Sequence, residues 1–365
     1  MKKAIAIMLT LAVTAGLFAG CGSNETVDSS SAGASTSSPS SSSGSSGATS
    51  SSGETTANYT YPQVGETENP ALVEQEPEEP LTFAFVGFAN NSYWDLIYEG
   101  VYAAQANLAE HNVTVEIINL GSDITAEAIN NALETCQAQA YDGIVLTCFV
   151  SGCENYINAC VESGCEVAII GGDAGECERF CYIGQDNAEA GLTVAQEIDA
   201  QLGGEEGAEF AVITSLFSMT NIEEKRNTCI EYLEDKGYVC VGSYEAHDSA
   251  DETYSITEQL LTANPNLKAI YCTAGGTYGA PRAVADNGAT GNVFVIGHDE
   301  TEENLQYVRT GELTVIGQNP TGYAYDAFIY LYNKVVADQD PEEEVMASLS
   351  MIINQDNVEE LFPAE

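Results

Sequence analysis

The sequence predicts an α/β protein of two doubly wound parallel-sheet lobes joined by a three-strand hinge. Three observations carry the architecture. From Leu81 onward, short apolar runs of strand length alternate with segments of helical period, the signature of strand-helix-strand units. The runs are apolar throughout rather than at every second position, as strands buried on both faces are. Nine or more such runs over roughly 280 residues are too many for one sheet of ordinary size.

Taken in order, "TFAFVGF" is the first strand. It runs into "NNSYWDLIYEG", a strand-to-helix corner that holds Trp94, the sole tryptophan of the chain. "VTVEIINL" follows, then the helical "AEAINNALETCQAQA" and the strand runs "GIVLTCF" and "EVAIIGG". "AEAGLTVAQEIDAQLG" has helical period, "AEFAVITS" is a strand, and "IEEKRNTCIEYLEDKG" is again helical. "YVCVGSYEA", "KAIYCT", "NVFVIGHD" and "LTVIGQN" complete the strands. Gly237 and Gly288 stand where helices close, as glycine does at helix C-termini.

The region before Leu81 is of another kind. Lys2 and Lys3 precede an apolar stretch, Ala4 to Phe18, too short to span a bilayer comfortably, so residues 1–20 read as a signal peptide. "LFAGC" resembles the lipobox of bacterial lipoproteins, with Leu17 and Phe18 around the position of the usual leucine. That resemblance implies a diacylglycerol on Cys21, palmitate-type acylation and a membrane anchor, since two chains hold where one is marginal. Residues 22–58 are almost entirely Ser, Thr, Gly and Ala, a composition that cannot bury a core. "YPQVGETENPALVEQEPEEP" adds proline and acid, and 21–80 is expected to be a tether. The folded body then divides into 81–185 with 318–345, and 186–317 with 346–365. Crossovers are expected near 185, 317 and 345.

Formal net charge is −46 with 10 Lys plus Arg. Nucleic-acid binding needs clustered basic residues and is excluded. Of 11 cysteines, ten remain after Cys21. They lie in apolar contexts such as "VLTCF" and "AIYCT", which reads as buried thiols. Cys177 and Cys181 are the best local pair. His111, His247 and His298 are far apart in sequence, and no zinc-type spacing is present. No metal and no cofactor are expected.

Ligands of open parallel sheets bind beyond the carboxyl ends of strands. The residues just after the runs are Asn90, Asn91, Tyr93 and Trp94; Asp173; Thr273; Asp299; and Gln318, with Arg226 on the helix after "AVITSLFSMT". Each has a plain explanation: Asp299 as a helix N-cap, Arg226 solvated on a helix, Asp173 in a loop, Trp94 as core filler. Together they make a convergent site.

The chain resembles the type I periplasmic binding proteins of the ribose/galactose-binding family, which share their fold with LacI-type effector domains. The likeness covers roughly 81–340, through "NNSYWDLIYEG", "YDGIVLT", "IGQDNAEAG", "KRNTCIEYLEDKGY", "LLTANPNLKAIYC", "GAPRAV", "VIGHDET" and "TVIGQNPTGYAYDA". The resemblance implies sugar contacts at Asn91, Tyr93, Trp94, Asp173, Arg226, Asp299 and Gln318, with Thr273 standing in "TAGGTYGA" where the family has an asparagine. Ala174 stands where it often has an arginine. Both changes remove polar contacts that ribose would use. No acidic calcium loop is present.

The expected function is therefore capture of a monosaccharide or related polyol by hinge closure, by a monomer that delivers it to the permease of an ABC importer. The open alternatives are a sensory sugar-binding domain reporting to a kinase or chemoreceptor, and a binder of a nucleoside or furanose signal. Two aspartates can serve glycosidase chemistry, but no activated nucleophile motif accompanies them, so no enzyme activity is expected. The signal peptide argues against a repressor.

Overall fold

A computed structural model describes residues 70–89, 91–348 and 350–364. The expected signal peptide, Cys21 and residues 21–69 of the expected tether lie outside the described residues, as does Asn90.

The first sheet is built by β1 (Leu81–Gly87), β2 (Val113–Asn119), β3 (Gly143–Leu146), β4 (Glu166–Ile170), β5 (Cys181–Gln185) and β11 (Val345–Ser348), in the order β11-β5-β4-β3-β1-β2. All its pairings are parallel. The second sheet holds β6 (Glu209–Thr214), β7 (Val239–Glu245), β8 (Leu267–Cys272), β9 (Phe294–His298), β10 (Thr314–Gly317) and β12 (Met351–Ile353), in the order β12-β10-β9-β8-β6-β7. Only β12 runs antiparallel to its neighbour. The residues of β3 are all buried and those of β4 nearly so, which is why their sequences lack polar alternation.

Helices α1 (Tyr93–Ala109), α2 (Ala126–Ala138) and α3 (Glu154–Glu162) belong to the first lobe; α4 (Asn187–Leu202), α5 (Thr220–Asp235), α6 (Ala250–Ala263), α7 (Gly279–Asp286) and α8 (Glu302–Arg309) to the second. Several start on side-chain caps that satisfy free amides: Thr125 for α2, Asp186 for α4, Ser249 for α6 and Thr301 for α8. Gly237 and Gly288 follow α5 and α7 with φ of 91° and 67°, left-handed values that glycine takes without steric cost.

Helix α9 (Pro320–Ala337) leaves the end of β10 in the second sheet yet packs Tyr323, Ala324, Ala327, Phe328 and Leu331 into the core of the first. The short α10 (Val358–Leu361) closes the chain on the second lobe.

Three expectations are corrected. β5 was absent from the expected strands: "CYIGQ" is short and carries polar residues, but all five are buried between β4 and β11. The third crossover was expected near 345; β11 stays paired with β5 through Ser348↔Gln185, so 346–348 belong to the first lobe. The folded body was expected to start at Leu81. Instead Asn333 of α9 donates from Nδ2 to the Ala71 carbonyl and accepts from the Val73 amide, and the Tyr332 hydroxyl donates to the Gln75 carbonyl. Residues 71–75 are thereby fastened to the first lobe.

Ten cysteines are free thiols, all buried except Cys177 and Cys240. Cys177 and Cys181 do not form a disulfide. Among the described residues no helix is long and apolar enough to cross a membrane, and no cluster of His, Cys, Asp and Glu could hold a metal ion.

Candidate ligand-binding site

One cavity lies between the carboxyl ends of the two sheets and is lined from both. Six of the eight expected ligand residues line it: Asn91, Tyr93, Trp94, Thr273, Asp299 and Gln318. Asp173 and Arg226 do not.

The first lobe supplies an aromatic wall. Trp94, 3% exposed, meets Phe88, Tyr93 and Phe149 edge-on, with ring centroids 5.3, 5.5 and 6.0 Å away. It is thus both core and cavity wall, because its ring is large enough to pack on one side and face the cavity on another. The Tyr93 hydroxyl is held by a short hydrogen bond to the Tyr323 hydroxyl. Asn91 fixes the corner into α1 by accepting from the Tyr93 amide at 3.0 Å.

The second lobe supplies the charge. Asp299 follows β9 with φ of 75°, and Asn304 of α8 holds it there by donating to the carbonyls of His298 and Asp299 at 3.0 and 2.8 Å. Gln318, at the end of β10, donates from Nε2 to Asp299 Oδ1 at 2.6 Å. Burial raises the Asp299 carboxyl to about 6, opposed by the positive charge of Lys225 and by the Gln318 bond. Thr273 spends its hydroxyl on Thr214, at 2.9 Å. It therefore shapes the wall more than it offers a free donor.

Lys225 was not expected in the site, and it is the largest departure from the sequence reading. It is 4% exposed and lines the cavity. Burial lowers its ammonium to about 8, and Asp299 opposes that shift. Among the described residues it makes no ion pair. Gly191 of α4 makes room: a Cβ there would sit 2.4 Å from the Lys225 carbonyl oxygen. The signal was present in the helix phase. Ile222, Lys225, Cys229 and Leu233 are the buried positions of α5, spaced three and four apart as one face of a helix is. Arg226 falls on the next face. Its guanidinium is engaged by Glu223 at 2.8 and 2.6 Å and by Ser243 at 3.3 Å, and it covers the Phe217 ring at 5.4 Å.

Asp173 is withdrawn by a partner the sequence reading did not weigh. Arg179 donates to both its oxygens, Nε at 2.8 Å and Nη2 at 2.7 Å, and its third nitrogen reaches Glu344 at 2.6 Å. Such a fork-on-fork pair uses the carboxylate's best acceptor directions.

Other wall residues escaped notice because they are apolar or lie off the strand ends: Phe149, Ile124, Met219 and Ile222. His298 contributes its ring, with Nε2 at 2.8 Å from the Tyr271 hydroxyl and its basicity pushed well down, first by burial and then by Lys225. A cavity with flat aromatic surface on one side and donors and acceptors of both signs on the other can hold a ring that presents C–H faces and hydroxyl edges.

A family model described as a periplasmic binding protein domain matches residues 83–339. The D-allose-binding periplasmic protein of Escherichia coli (strain K12) is 34% identical over 143 residues, 38% of this chain and 45% of that protein. The chain thus spans under half the length of this relative. Among solved structures, GanP, a glucose-galactose binding protein from Geobacillus stearothermophilus, superposes with a TM-score of 0.68 at 23% identity, over 77% of this chain and 99% of that one. An ABC transporter solute-binding protein from Burkholderia graminis, solved in complex with D-arabinose, superposes with a TM-score of 0.71 at 20% identity, over 77% and 97%. At these identities the likeness speaks for the fold.

Proposed function

The chain belongs to the periplasmic binding protein domain family, and from that premise we propose that it captures a monosaccharide or related polyol between its lobes and delivers it to the permease of an ABC importer. The observation that carries this reading is the pairing, across one cavity, of the Trp94 wall with the Asp299, Gln318 and Lys225 group. A sugar hydroxyl both donates and accepts. It can donate to Asp299 while accepting from Lys225 or Asn91, and its ring C–H face rests on the indole.

The space inside the cavity is about 50 Å³, room for only a few waters. A pyranose therefore enters by parting the lobes about the crossovers after β5, β10 and β11, a hinge motion with many precedents. The two named ligands of the relatives, D-allose and D-arabinose, are the first to try on this chain. The reading also places the protein outside the cytoplasm, held by a lipid on Cys21; "LFAGC" supports that part.

The experiment is a thermal-shift screen of pentoses, hexoses and polyols, followed by calorimetry of every hit. A ligand at a hundred times its Kd adds about 2.7 kcal/mol of apparent stability. A sugar that raises Tm in proportion to the logarithm of its concentration supports the reading. A panel without any such sugar, with a nucleoside active instead, would replace it.

A further inference from the structure

Gln318 and Asn319 are the two residues by which the chain passes from β10 in the second sheet to α9 on the first. Asn319 has φ of 55° and caps α9 with its own side chain, Oδ1 accepting from the Gly322 amide at 3.1 Å. A chain turning this sharply leaves its amides without ladder partners, and buried amides need acceptors. Both are met by one side chain. Glu300, 7% exposed, accepts from the Gln318 amide through Oε2 at 3.1 Å and from the Asn319 amide through Oε1 at 2.8 Å.

We infer that Glu300 is the positioning residue of this crossover: its carboxylate holds the Gln318–Asn319 turn, and so keeps the Gln318 side chain on Asp299 at the cavity wall. The residue does not line the main cavity; it acts through the backbone of one that does. The claim goes beyond sugar capture, because it concerns how the second lobe grips the strand-to-helix passage into the first.

The arrangement makes that grip sensitive to pH. Burial raises the Glu300 carboxyl to about 7, opposed by its own backbone amide, with the neighbouring Asp299 charge adding to the rise and the Gln318 and Asn319 amides opposing it further. The titratable groups that face it are Asp299 and, from α1, the Tyr93 hydroxyl. A protonated carboxyl keeps one good acceptor and turns its other oxygen into a donor. One of the two amides then loses its partner.

Amide exchange at Gln318 and Asn319, followed by NMR on the full chain without ligand and corrected for intrinsic rates, tests this. Protection of at least one of the two amides is expected to fall by up to about tenfold from pH 8 to pH 6, as the ionised fraction of a group with a pKa near 7 drops. The amides of β9 and β10 should hold. Glu300→Gln, whose carboxamide offers one acceptor oxygen while its nitrogen faces a donor, is expected to leave at least one of the two amides unprotected at both pH values. Equal protection of wild type at the two pH values would overturn the inference, and so would wild-type protection in Glu300→Gln. Loss spread evenly over β9, β10 and the crossover would reassign Glu300 to general packing and likewise overturn it. Because no ligand is used, a failed sugar screen leaves this result standing on its own.

Discussion

Gln318 and Asp299, delivered by the neighbouring parallel strands β10 and β9, meet at 2.6 Å on the floor of the cavity. The amide donates and the carboxylate keeps its second oxygen for a ligand. Hydrogen bonds to charged groups contribute roughly 1.5–3 kcal/mol. Asp299→Asn keeps the shape but exchanges an acceptor for a donor. The expected loss is about ten- to a hundredfold in affinity, since ~1.4 kcal/mol is tenfold. Calorimetric titration with a sugar found by screening measures it; unchanged affinity would remove Asp299 from the site.

The indole at Trp94 is a built-in reporter, because the chain has one tryptophan. Sugar binding should shift its emission. Its packing against Phe88, Tyr93 and Phe149 makes alanine a poor probe, since such truncation costs about 3–5 kcal/mol of stability. Trp94→Phe keeps a ring in place, and a loss of a few-fold to tenfold in affinity is expected from the reduced area against the ligand, on the order of 1 kcal/mol. A ligand that leaves the emission unmoved would return Trp94 to the core alone.

The buried charges set the pH dependence of stability. Asp299 and Glu300 titrate near 6 and 7 in the folded state, above ordinary carboxyl values, so between about 4 and 7 the native state holds more protons than the unfolded chain. Stability then rises as pH falls through that window. Lys225 titrates near 8, below an ordinary lysine, so between about 8 and 10.5 its own contribution to stability rises with pH. The buried thiols of Cys136, Cys165, Cys181, Cys229 and Cys272, all pushed up by burial, act in the opposite sense above about pH 9, so Lys225 is read as a difference: the melting temperature of wild type relative to Lys225→Met should rise between about pH 8 and 10.5. A difference that stays flat over that range would show that Lys225 is solvated.

The anchor is tested apart from the cavity. Cys21→Ser should leave the precursor uncleaved or release the protein from the membrane fraction, read by mass and fractionation. Unchanged membrane retention would set the lipid reading aside.

What the sequence made legible follows from sheet physics. Continuous apolar runs marked most strands, and parallel sheets put their sites at strand ends, so Asn91, Trp94, Thr273, Asp299 and Gln318 could be picked out in advance. Three kinds of information were hidden. β5 and β11, "CYIGQ" and "VMAS", are short and partly polar, and only their neighbours make them strands. Asp173 looks like a grip until Arg179, six positions on, folds back to take both its oxygens. Glu300 sits beside a recognised residue, but its role depends on backbone amides eighteen and nineteen positions later, which no local pattern exposes.

Lys225 and Arg226 give the sharpest test, since they are adjacent and the structure assigns them opposite environments. Lys225→Met removes a charge that is costly to bury while keeping chain length, so the fold should be at least as stable as wild type. Affinity should nevertheless fall about tenfold, the worth of one hydrogen bond from a charged donor. Arg226→Ala breaks the pair with Glu223 and the contact with Phe217, none of which lines the cavity. That should lower stability by about 1 kcal/mol, as partly exposed ion pairs do, and leave affinity within about twofold. Calorimetry and melting on both variants, with the same sugar, separate the cases. If Arg226→Ala abolishes binding while Lys225→Met does not, the guanidinium must leave Glu223 to meet the ligand, and the cavity lined by Lys225 is not the form that binds.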